Sequence, residues 1–140
     1  MNETLYLLLL YFVSLLFHEA GHYITFVLNG VRRPTIKLHW WGVTVGTEEQ
    51  MNTLTLKEIV DVYLAGIVIG FCFLFFANVV WGVTSIVLTM AYFLSCFFDM
   101  SNLHQIISLL LKHPELKNLR LDAANVRLAK QTILLAKQKD

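Results

Sequence analysis

Residues 4–28, TLYLLLLYFVSLLFHEAGHYITFVL, decide how this chain reads. The stretch holds 25 residues, more than the roughly 20 that a helix needs to cross the hydrocarbon core of a bilayer. Within it lies His18-Glu19-Ala20-Gly21-His22. An unpaired ionisable group in such a segment costs several kcal/mol, so a cluster of three points to a site. His18 and His22 are four residues apart and share one helix face, where both imidazoles can reach a single metal ion. Glu19 points roughly 100° away around the helix, which suits it less to metal binding than to taking a proton from water. Zinc lowers the pKa of a bound water to about 7 and so makes hydroxide available at neutral pH. Ala20 and Gly21 leave room for a substrate backbone.

Composition agrees with a membrane setting. Of 140 residues, 56% are hydrophobic and 15% charged, and the mean hydropathy is +0.60. A soluble domain carries about 25% charged residues. The net charge of +1 gives no signal for nucleic acid or an acidic partner. Cys72 and Cys96 both lie in apolar runs and read as packing residues. Glu3 before the apolar stretch, and the absence of a basic start, argue against a cleaved signal peptide.

Asn29-Gly30 ends the first helix, and Arg32, Arg33 and Pro34 mark an aqueous boundary. Residues 35–46 switch to an alternating pattern that predicts one or two short strands. Trp40 and Trp41 suit a membrane interface. A helix with Thr53 or Thr55 as its cap leads into a second span over residues 58–80, where Ala65, Gly66 and Gly70 permit close helix packing. A third span covers residues 83–111, with Asp99 partway along it. Residues 113–140 alternate apolar and charged positions and predict an amphipathic cytoplasmic tail helix. The expected fold is therefore an all-α membrane protein with three transmembrane helices and a small β element, residues 1–112 forming the core. All 11 basic residues fall on one side of that arrangement. The positive-inside rule then puts the N-terminus outside and the C-terminus in the cytoplasm of a multi-pass cell-membrane protein.

Catalytic zinc usually takes three protein ligands and keeps one position open. Asp99, His104, His39, His113, Asp61 and Glu58 are the candidates for the third. His18 lies 14 residues before Arg32 and Asp99 lies 13 before Lys112, which sets the two at similar depth if both segments are helical. His104 would sit about 7 Å nearer the cytoplasm, still within reach on a bent helix. Depth favours Asp99. Asn102 follows it by three residues and, like His104, is a candidate to bind a substrate carbonyl or the developing oxyanion.

These features together resemble the site-2 protease family of intramembrane zinc metalloproteases. The resemblance rests on HEAGH in the first span, the Asn-Gly and basic boundary, the short strands, the small-residue second span and an aspartate in the third. It covers about the first 110 residues. It implies one zinc per chain held by His18, His22 and Asp99, with Glu19 as the base, acting on a membrane-embedded peptide or protein. It also implies that the strands hold substrate in extended form. Residues 97–105, FFDMSNLHQ, depart from the family pattern: no proline, no glycine after Asp99, and an asparagine that follows the aspartate. The second span reads LAGIVIGF where the family has Gly-Pro. A regulatory PDZ module is not expected in 140 residues. The alternative from another class is a non-catalytic homologue that binds a metal or a partner segment in the membrane. A metal transporter is disfavoured, because spans two and three carry few polar positions for a conduction path.

Overall fold

In a computed structural model, residues 3–39, 42–81 and 86–120 are described. The protein is mostly helical with one small sheet. Helix α1 (Glu3–Leu28) is followed by strands β1 (Ile36–His39) and β2 (Gly42–Val45) and the single turn α2 (Glu48–Met51). Helices α3 (Leu56–Trp81), α4 (Ile86–Ser95) and α5 (Phe97–Lys112) come next, and a 3₁₀ helix covers Pro114–Asn118. Among the described residues two helices, α1 and α3, are long and apolar enough to cross a membrane. Leu8, Phe12, Leu16, Phe75, Phe76 and Val79 stand exposed along them. A surface so apolar suits membrane association.

Local chemistry sets the helix ends. Gly30 has φ +90°. It closes α1 with two bonds, Val31 N–H to the Phe26 carbonyl and Gly30 N–H to the Val27 carbonyl, both 3.0 Å. That is the glycine-terminated Schellman pattern, which satisfies carbonyls that would otherwise be orphaned. At the start of α3, Glu58 N–H donates to the Thr55 hydroxyl (3.3 Å) and Thr55 N–H to the Glu58 carboxylate (2.7 Å). This capping box selects Thr55 rather than Thr53. The Gln50 amide ties the loop before β1 to α2, accepting from Thr35 N–H (3.0 Å) and donating to the Arg33 carbonyl (2.9 Å).

The strands pair antiparallel, Ile36 opposite Val45 and His39 opposite Gly42. They fall within the expected residues 35–46; Trp40 and Trp41 lie outside the described residues. Helix α1 crosses α3 at small residues: a Cβ added to Gly21 would come within 2.7 Å of the Ala65 carbonyl oxygen. Two apolar clusters result. Leu10, Leu74, Ala77, Leu88, Tyr92 and Cys96 form one; Phe26, Leu54, Ile59 and Val62 form the other. The middle of α1, with His18 and His22, lies between them.

The third apolar stretch is bent. Helices α4 and α5 meet at Cys96 with a 57° change of direction. No proline or glycine is there. Ser95 Oγ instead donates back to the Ala91 carbonyl (3.0 Å) and also pairs with the Tyr11 hydroxyl. Such back-bonding bends helices. The bend places Asp99 in the first turn of α5. Beyond α5 the described tail is 3₁₀ helix up to Asn118, and Arg120 bridges back to Thr55. The amphipathic helix expected over 113–140 is thus absent from its described part, where Pro114 stops α5. Residues 121–140 lie outside the described residues.

Candidate metal centre

His18, His22 and Asp99 come together. His18 Nε2 is 2.8 Å and His22 Nε2 3.0 Å from Asp99 Oδ2, and the two Nε2 atoms are 2.9 Å apart. The histidines are 5% and 7% exposed. Among the described residues this is the group of His, Cys, Asp and Glu side chains whose ligand atoms converge on one point. Geometry thus singles out Asp99 from its rivals. His39 pairs with Thr44, His113 with Glu115, and Glu58 is taken up by the capping box. Asp61 and His104 are exposed.

The other ring nitrogens decide what the converging atoms are. His22 Nδ1 is 2.9 Å from the Val62 carbonyl oxygen, which only accepts, so Nδ1 carries hydrogen and donates. Tyr92 is fully buried. Its hydroxyl donates to the Ile67 carbonyl (3.0 Å), which leaves its oxygen to accept from His18 Nδ1 (3.2 Å). In their neutral form, with hydrogen on Nδ1, both rings present an Nε2 lone pair toward a carboxylate oxygen. Three acceptors facing one another repel unless a cation sits among them. A single proton can bridge one edge of this triangle at a time; a divalent cation serves all three corners.

The donor set thus fits zinc, for which two imidazoles and a carboxylate are a familiar catalytic combination. The observed edges of 2.8–3.0 Å are a few tenths shorter than the ~3.3 Å set by ligands at 2.0–2.1 Å from zinc. A slight spreading of the side chains accommodates the ion. Carbonyl and phenol partners of this kind fix ring tautomer and orientation at metal sites.

A cleft of about 440 Å³ opens on the cluster, lined by Glu19, His22, Thr44, Val45, Tyr63 and Asp99 among others. Glu19 is no part of the ligand triangle. Its Oε2 is buried without a hydrogen-bond partner. It also reaches a second, apolar groove between α1 and the sheet, lined by Leu16, Ile24, Leu38 and Val43. Asn102 is exposed and donates through Nδ2 to the Tyr63 hydroxyl at 3.4 Å. His104 lies outside the cleft lining.

Reading the sequence for ligands misses Tyr92, Tyr63 and the Val62 carbonyl. Tyr92 had a signal: Tyr92, Cys96 and Asp99 recur at helical spacing, so a phenol, a thiol and a carboxylate share one face. Sulfur Sγ of Cys96 indeed lies 3.6 Å from His18 Nδ1. A backbone carbonyl leaves no such trace. No family model matches the chain, and comparison with curated proteins and with solved structures finds no match either.

Proposed function

We propose that this protein is an intramembrane zinc-dependent endopeptidase of the site-2 protease kind. One observation carries the reading: two buried imidazoles, each held by a partner on its Nδ1, aim their Nε2 atoms at a carboxylate beside a cleft. His18, His22 and Asp99 would hold the ion. Zinc so held would supply Lewis acidity and an acidified water at neutral pH. Glu19 faces the same cleft with a free carboxylate oxygen. It accepts the proton that water loses on attacking the peptide carbonyl and returns it to the departing amine. The Thr44–Gly46 segment borders the cleft, and substrate unwound from its helix would lie along it.

The membrane arrangement belongs to the same proposal. Helices α1 and α3 would span the bilayer, with α4 and α5 as a third, broken span. A broken span is tolerated where it lines a protein-enclosed site. The basic residues then place the N-terminus outside and the tail in the cytoplasm.

Metal analysis and peptide cleavage on the purified full chain in detergent test the reading. About one zinc per chain, lost in His22→Ala, is expected, together with chelator-sensitive cleavage of single-span peptides. Glu19→Gln should keep the zinc and lose cleavage by roughly 10²- to 10⁴-fold. Zinc without cleavage of any peptide in the panel would favour the non-catalytic homologue. Absence of zinc from the wild-type chain after metal supplementation would overturn the proposal.

A further inference from the structure

Peptide hydrolysis needs a donor for the carbonyl oxygen as well as a base for the water. When water oxygen bonds to the carbonyl carbon, the π pair of the C=O bond moves onto its oxygen. The proton leaves for Glu19; when the C–N bond then breaks, the amine departs with a proton returned by Glu19. The negative charge gathered on oxygen in between requires preorganised hydrogen bonds. Asn102 is a sequence candidate for that donor, but it is exposed on α5, outside the cleft lining, and one of its two amide N–H groups goes to Tyr63.

Tyr63 stands where Asn102 does not. It lines the cleft together with Glu19, His22 and Asp99. Its ring centroid is 6.3 Å from that of His22, edge to face. The preceding residue, Val62, supplies the carbonyl that orients His22, so ring and phenol are set by the same turn of α3. The hydrogen bond from Asn102 also decides where the phenol proton goes. A phenol has one O–H to donate, and Asn102 Nδ2 is a donor only, so Tyr63 must be the acceptor in that pair. Its own hydrogen remains available to an acceptor in the cleft.

We infer that the Tyr63 hydroxyl donates to the oxygen of the peptide bond under attack, and that Asn102 is a positioning residue acting through Tyr63. This rests on the proposed hydrolysis. The arrangement gives a substrate oxygen an O–H donor on α3 while the base stays on α1.

The test is Tyr63→Phe in the full chain, assayed on a cleavable single-span peptide, beside Asn102→Ala and the double variant. Removing one such donor lowers kcat by roughly 10²- to 10³-fold. The expected result is that loss in kcat with KM and zinc content unchanged. A phosphinic peptide, which mimics the tetrahedral species, should weaken by the same factor. Asn102→Ala should lose less, and the double variant no more than Tyr63→Phe alone. If Tyr63→Phe loses zinc or fails to fold, Asn102→Ala decides: a loss of kcat matched by an equal loss of inhibitor affinity, with KM and zinc content unchanged, supports the inference, and wild-type kcat and inhibitor affinity overturn it. Wild-type cleavage with Tyr63→Phe kcat within threefold of it would overturn this inference alone. A wild type that holds no zinc and cleaves nothing would overturn the hydrolysis and this inference with it.

Discussion

Gly66→Ala separates the metal centre from the fold that carries it. A Cβ at position 66 would stand 2.6 Å from His22 Nε2 and 2.8 Å from Nδ1. Ordinary contact begins near 3.4 Å, and the ring's Cε1 lies closer still than either nitrogen, so the ring must retreat by about 1 Å or the helices must part. Either motion pulls Nε2 off the point it shares with His18 and Asp99. Overpacking of this kind costs about 1–3 kcal/mol. Charged to the metal-bound state alone, that is about a 5- to 150-fold loss of zinc affinity. The helix itself is favoured by up to about 1 kcal/mol when alanine replaces glycine. Metal-free Gly66→Ala should therefore unfold close to the wild-type temperature, while zinc competition against a chromophoric chelator shows the loss. Wild-type zinc affinity in this variant would refute the claim that Gly66 exists to admit the His22 ring.

Tyr92→Phe keeps the ring wedged against Gly70 and removes the acceptor for His18 Nδ1 together with the donor to the Ile67 carbonyl. Zinc affinity should fall about 10- to 100-fold, and equal chelator competition curves would exclude Tyr92 as the group that orients His18. Thr55→Ala removes one half of the capping box at the start of α3. Thermal unfolding should show a loss of about 1 kcal/mol with zinc content untouched; a matching loss of zinc would mean that this helix end communicates with the centre.

The half of the site on α1 was legible because both histidines sit on one helix and their spacing alone fixes a shared face. The strands were legible from alternation within residues 35–46, and the end of α1 from Asn29-Gly30. Depth favours Asp99, but its contact with His18 spans 81 residues of chain and is not written in any local pattern. The bend at Cys96 was hidden, with no proline or glycine to announce it. Asn102 was read as a carbonyl binder because its spacing from Asp99 is visible, whereas its pairing with Tyr63 depends on how α5 lies against α3. Spacing sets Tyr92 on the face of Asp99, but the place of its hydroxyl between a ring nitrogen and a carbonyl depends on how α4 packs against α1 and α3.

The order of the parts along the chain has a consequence for biogenesis. A ribosome delivers both rings first, the Val62 carbonyl 40 residues after His22, and the carboxylate another 37 residues on. An unfinished chain holds two imidazoles without the Asp99 carboxylate. It cannot close the triangle, whatever ions the cell offers. On the proposed reading, the nascent protein is thereby inert toward its neighbours until α5 has been made.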